Sequence, residues 1–90
     1  MEFEIKDSLL QFPCLFPIKI MGKKNDQFFL SIKEILTRHF GDLKEKDIKT
    51  SISKKGTYIS ITITVQVTSQ NQLDNAYNEL SAHKDVLVAL

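Results

Sequence analysis

Cysteine occurs once in the chain, at Cys14. No internal disulfide can form, and with two histidines as its only company it cannot found a structural zinc site. Neither sign of charge is in excess: twelve basic residues face eleven acidic ones, a net +1. A dedicated nucleic-acid-binding module carries a basic surplus, so the balance argues against that class while leaving room for a local basic patch. No apolar run approaches the roughly 20 residues needed to span a bilayer. The opening "MEFEIKDSLL" is acidic and lacks the long apolar core of a signal peptide, so the chain reads as cytoplasmic. Three glycines and two prolines are scattered, and there is no repeat, low-complexity tract or linker that would divide the chain.

What is present suits one small domain. Ninety residues, 42% of them hydrophobic, bury about 60–65% of the unfolded surface. Most apolar side chains are then committed to folding, and a deep enzyme pocket is not expected. The clearest element is "KKGTYISITITVQV", residues 54–67. From Ile59 onward alternate residues are Ile59, Ile61, Ile63, Val65 and Val67, a core row. Between them run Tyr58, Ser60, Thr62, Thr64 and Gln66. "KKG" before it suits a tight turn, with Gly56 at positive φ.

The remaining elements follow from period and punctuation. Residues 1–15 form an N-terminal extension, with a helical turn predicted from Asp7 or Ser8 and with Phe12 and Leu15 packing on the domain edge. Residues 16–90 form the domain. A first strand spans Phe16–Met21, with Phe16, Ile18 and Ile20 on one face and Pro17, Lys19 and Met21 on the other. A loop at Gly22–Asp26 supplies Asn25 or Asp26 as N-cap. The first helix covers about Gln27–Phe40, stopped by Gly41. A second strand spans Ile48–Ser53. Ser69 and Gln72 fit a capping box for the second helix, whose last turn takes in His83 and Lys84, and "DVLVAL" is a short final strand. The order βαββαβ predicts a ferredoxin-like α+β sandwich: a four-stranded antiparallel sheet in order 4-1-3-2 with both helices on one face.

That plan leaves the Tyr58–Gln66 row facing outward, beside Lys19, Met21, Lys49 and Ser51. Such a face can be wet sheet, a binding surface, or a site of self-association. RNA binding on a sheet of this kind needs rings at fixed positions after a Lys-Gly pair. Here Thr57 and Ile59 stand where the rings should be, so RNA is not expected. The residues proposed for an interaction surface are Lys19, Met21, Lys49, Tyr58, Ser60, Thr62 and Thr64. A second candidate is an anion-binding loop at Gly22, Lys23, Lys24 and Asn25, ahead of a helix N-terminus. His39 reads as a half-buried, hydrogen-bonded histidine and Cys14 as a small apolar residue. Cys14, His39 and His83 fall on separate elements, so no catalytic set, metal site or cofactor is predicted.

"FPCLFPIKIMG" resembles the Phe-Pro-x-x-Phe-x-x-Lys-x-Met-Gly opening of the YbeD-like, or UPF0250, proteins, through Phe12, Pro13, Phe16, Lys19, Met21 and Gly22. "RHFGD" resembles a further family segment through Arg38 and His39, with the glycine-aspartate pair displaced by one residue. "KGTYIS" is similar to its Lys-Gly-x-Tyr-x-Ser signature, and "YNEL" at 77–80 fits its second helix. The resemblance implies small bacterial cytoplasmic proteins of ferredoxin-like fold, akin to ACT-type regulatory domains, with no established activity. It also implies a conceivable link to lipoate metabolism. The expectation is a non-enzymatic regulatory or interaction domain with a protein partner or self-association and no membrane. The alternative is a sensor of a small molecule or anion at the first strand-to-helix loop.

Overall fold

The computed structural model describes residues 11–90. The turn expected at Asp7 or Ser8 lies outside them. Strand β1 is Cys14–Lys23, helix α1 Asp26–Phe40, β2 Ile48–Ile52, β3 Tyr58–Val67, helix α2 Gln70–Ala82 and β4 Val86–Ala89; a 3₁₀ turn at Glu45–Asp47 precedes β2. The sheet order β2-β3-β1-β4 is the expected 4-1-3-2 read from the other edge, and every neighbouring pair is antiparallel.

β1 is longer than the sequence pattern indicated, because its alternation continues into segments assigned to the extension and the loop. Cys14 already pairs with Val67, and Lys23 still pairs with Tyr58. Phe12 and Cys14 pack against the core, so the domain starts before residue 16. Leu15 does not pack: it points outward and is 70% exposed.

The core lies between the inner sheet rows and the two helices. Ile18, Ile20, Ile61, Ile63 and Val67 are fully buried, as are Phe28, Ile32 and Leu36 of α1 and Ala76 and Leu80 of α2. Each of these side chains except that of Ala76 contributes about 1.5–3 kcal/mol on burial. No polar side chain is among the buried residues described.

The helix ends are built locally. Asn25 is the N-cap of α1, its Oδ1 accepting the Phe28 N–H at 2.8 Å. Gly41 ends that helix at φ 86° while its N–H donates to the Thr37 carbonyl. Ser69 caps α2 by accepting the Gln72 N–H at 3.1 Å. The return arm of the capping box differs from expectation. Gln72 Oε1 accepts from the N–H of Thr68, 2.7 Å away, while its Nε2 donates to the His39 carbonyl at 2.8 Å. The amide thus ties the end of α1 to the start of α2. His83 falls beyond the helix, at its C-cap. There Nδ1 accepts the Asp85 N–H at 3.1 Å, and the ring meets Phe28 edge-on.

Gly22 shows why one position on β1 has no side chain. A Cβ there would overlap the Phe28 ring and the Asp85 carbonyl oxygen. The ring is fully buried and the oxygen is main chain, bonded by the Lys23 N–H, so neither can withdraw cheaply. Gly22→Ala is therefore expected to destabilise the fold by about 1–3 kcal/mol, read as a lower urea midpoint. Truncating Phe28 in the same chain should not restore stability, because the carbonyl remains and a core cavity is added.

Candidate functional site

The outward face is assembled by register. Lys49 lies opposite Thr62, and Thr62 opposite Lys19, so two lysines flank one threonine across three strands; at the usual strand spacing their backbones stand about 10 Å apart. The next row runs Ser51, Ser60, Met21 and Val88, and beyond it Lys23 faces Tyr58. Ser60, Thr62 and Thr64 form a half-buried floor, while the lysines are exposed. Met21 is 40% and Tyr58 44% exposed. A shallow groove of about 190 Å³ is bounded by Met21, Ser51, Ser53, Tyr58 and Ser60. The motif residues around 21 and around 58–60, far apart in sequence, thus share one groove.

Charge on this face is one-sided. The outward rows of the paired strands carry Lys19, Lys23 and Lys49 and no acidic residue. Thr64 is the exception among the expected site residues. It stands at the far end, beside a small cavity also lined by Asp42, Lys44 and Asp47, where the two carboxylates outnumber the one lysine. Lysine heads over small polar residues leave room at the surface, because the long stems lie along the sheet while the ammonium groups reach water.

The proposed anion loop is shorter than expected, since Gly22 and Lys23 belong to β1. Two of its main-chain donors are already engaged: the Lys23 N–H bonds the Asp85 carbonyl at 3.2 Å and the Lys24 N–H the Thr57 carbonyl at 2.9 Å. The larger resource at this end is side-chain charge. The Lys24–Thr57 bond brings the hairpin Ser53–Thr57 against the end of β1, gathering Lys23, Lys24, Lys54 and Lys55 at one end of the sheet. Nearby Lys84 holds the Asp85 carboxyl below the usual range through a 3.2 Å ion pair. Lys54 and Lys55 were legible only as turn residues. Their adjacency to Lys23 is a product of the β1–β3 pairing.

The histidine and cysteine do not meet. His39 Nε2 is 2.8 Å from Glu79 Oε1, and Arg38 binds the same carboxylate through both terminal nitrogens. Arg38 and His39 thus join the "YNEL" segment in an interhelical clamp. Cys14 is half-buried on β1. Among the described residues no three metal-ligating side chains cluster, and no helix is long and apolar enough to cross a membrane.

Comparison with known proteins agrees with this architecture. Residues 7–90 match a family model described as a protein of unknown function, DUF493. A UPF0250 protein of Chromobacterium violaceum is 42% identical over 85 residues, covering 94% of this chain and 96% of that one. Another, from Neisseria gonorrhoeae, is 42% identical over 89 residues, covering 99% and 98%. Among solved structures, protein HP0495 of Helicobacter pylori superposes with a TM-score of 0.70 at 18% identity, over 90% of this chain and 85% of that one. The ACT domain from the GTP pyrophosphokinase of Chlorobium tepidum does so at 0.66 and 18% identity, over 86% and 83%. These structural likenesses concern the fold.

The clamp has a pH signature. The Arg38 guanidinium, and after it His39, hold the Glu79 carboxyl at about 2, against an ordinary 4.5. A depressed acid stabilises the fold above the unfolded value and loses that contribution as pH falls from 4.5 towards 2. Arg38 is half-exposed and Glu79 about a third exposed, so solvent screening keeps the effect small. Glu79→Gln should lower Tm by only a few degrees at neutral pH, and the gap to the parent should close as the solution is acidified through that window. A constant gap down to the lowest pH would show that the carboxylate charge is not what the clamp uses.

Proposed function

We propose that this chain, which belongs to the UPF0250 family of proteins of unknown function (DUF493), is a non-enzymatic interaction domain of the bacterial cytoplasm. Its outward sheet face receives an acidic segment of a protein partner. The observation that carries this reading is the one-signed face: Lys19, Lys23 and Lys49 around a floor of Ser60 and Thr62, with no acidic residue in those rows. Complementary charge sets encounter rate and orientation more than raw affinity, and the groove at Met21, Tyr58 and Ser60 adds an apolar contact beside the lysines. A fold shared with an ACT domain is in keeping with a regulatory part, although fold alone does not assign function.

A second reading, a sensor of a small anion, draws support from Lys23, Lys24, Lys54 and Lys55 at the loop end of the sheet. The two readings separate by where amide shifts appear. A short Glu-rich peptide should perturb Lys19, Ser60, Thr62 and Lys49, whereas pyrophosphate or lipoate should perturb residues 23–25 and 54–57. The paired substitution Lys19→Glu and Lys49→Glu touches only exposed side chains. It should leave the fold intact and weaken peptide binding by about tenfold or more, and binding to the parent should weaken as salt rises. Equal affinity of the parent and the paired variant would remove the outward face as the binding surface.

A further inference from the structure

Among the described strands the sheet has two edges, β2 and β4. β4 is irregular: its register against β1 shifts between Met21 and Gly22, a break of the kind that blunts an edge. β2 has no such protection. Its five residues pair with β3 without interruption, and none is proline. The Ser53 N–H donates to the Tyr58 carbonyl at 3.0 Å, so by alternation Lys49 and Ser51 also direct their main-chain groups at β3. Those of Ile48, Thr50 and Ile52 point off the sheet. The Ile48 N–H is taken up by the Glu45 carbonyl. The Thr50 and Ile52 N–H groups and the Ile48 and Thr50 carbonyls are left at the edge.

The same three residues share the inner face, opposite Ile63, Ile61 and Ile59. Helix α1 does not cover them all. Ile52 is 52% exposed. Towards the other end of β2 lies a cavity of about 300 Å³ lined by Phe29, Lys33, Glu45, Ile48 and Thr50. An exposed isoleucine and an open space beside Phe29 and Ile48 thus stand at opposite ends of one short strand. One molecule cannot join them, but a second molecule running antiparallel can.

The strand "IKTSI" is close to a palindrome about Thr50. A twofold axis there sets Thr50 opposite its copy and Ile52 of each molecule opposite Ile48 of the other. Every residue whose main chain points outward then meets another that does. Four N–H···O=C bonds can form: two between the Thr50 residues, and one from each Ile52 N–H to the Ile48 carbonyl of the other copy. Each Ile52 side chain reaches the space beside Phe29 and Ile48. Lys49 comes opposite Ser51. An axis on Lys49 would set lysine against lysine, and one on Ser51 would set Ile48 against Lys54. Beyond the strand ends, the hairpin of one copy, with Lys54 and Lys55, approaches the Glu45–Asp47 turn of the other, whose two carboxylates outnumber Lys46. Charge is therefore complementary at both ends.

We infer that the β2 edge pairs with the β2 edge of a second copy of this chain, joining two sheets into one of eight strands, with Ile52 of each copy seated beside Phe29 and Ile48 of the other. This is an isologous contact, in which each surface supplies both the knob and the hole. The side chains of the outward face stay open, so the inference does not depend on the partner-binding reading.

Sedimentation equilibrium of the full chain should show a reversible monomer–dimer equilibrium below millimolar concentration. Thr50→Pro removes an N–H that β3 does not use, at an edge position where proline is tolerated. Ile52→Glu puts a charge on an exposed side chain. Both should keep the circular dichroism of the parent and weaken dimerisation about tenfold or more. The register has its own test, in a Cys14→Ala background. Thr50→Cys should oxidise readily to a linked dimer, since Cα atoms of a hydrogen-bonded pair stand about 5.5 Å apart. Lys49→Cys should not, because its copy is a diagonal neighbour about 7–8 Å away. A chain that stays monomeric at millimolar concentration would overturn the inference. So would a dimer that either folded variant leaves as tight as the parent, or one in which Lys49→Cys links as fast as Thr50→Cys.

Discussion

Ten residues of β1 lie opposite ten of β3, from Cys14 against Val67 to Lys23 against Tyr58. Every other feature depends on that register. Side chains alternate faces with a period of two, so a slip of one residue would turn Ile61, Ile63, Val65 and Val67 to solvent and drive Ser60, Thr62 and Thr64 into the core. Burial of the isoleucine rows therefore specifies the pairing. The pairing in turn lays Lys19 beside Thr62 and Met21 beside Ser60. The outward face is a by-product of core formation, and its composition is free to serve recognition because folding places little demand on it. Cross-strand pairs of small polar residues are worth only about 0.2–1 kcal/mol.

Two devices fasten the helices to this frame. At the loop end, Phe28 packs directly over Gly22 while the Asp85 carbonyl bonds the Lys23 N–H. The first turn of α1 and the entry to β4 thereby meet on one backbone position with no space for a side chain. Between the helices, Glu79 is shared by Arg38 and His39, and Gln72 reaches from α2 to the His39 carbonyl. The histidine that sequence reading placed among apolar neighbours is half-buried and hydrogen-bonded, as expected, and its partner comes from 40 residues away. A carboxylate shared by an arginine and a histidine of the other helix fastens the two helices together.

The two ends of the sheet differ chemically. At the hairpin end four lysines are brought to one end of the sheet, and the groove of Met21 and Tyr58 lies on the outward face. At the end where β1 begins, Asp42, Lys44 and Asp47 line a cavity beside Thr64, and Gln70 and Asp74 line another beside Phe16. A chain with a net charge of +1 thus gathers lysines at one end of its sheet, which its overall balance conceals.

Composition and period were sufficient for the element order, the identity of the inner rows, the Ser69 cap, a choice between Asn25 and Asp26 for the other cap, and the antiparallel βαββαβ plan. Each of these is dictated by local chemistry: alternation, helical spacing, side-chain acceptors and glycine at positive φ. Lys19, Met21, Lys49, Tyr58, Ser60 and Thr62 could be assigned to one face for the same reason, since topology plus alternation fixes facing. The sequence could not show the true ends of β1, because Cys14 and Lys23 extend the strand only by virtue of their partners Val67 and Tyr58. Nor could it show that the Lys23 and Lys24 N–H groups are spent on Asp85 and Thr57, or that Thr64 sits beside Asp42 and Asp47. The unpartnered, buried Gln70 oxygen and the cavity beside Phe16 were equally hidden. These features arise where segments distant in the chain come together, and only the packing of one element against another decides which donors are used, which charges gather and where space is left.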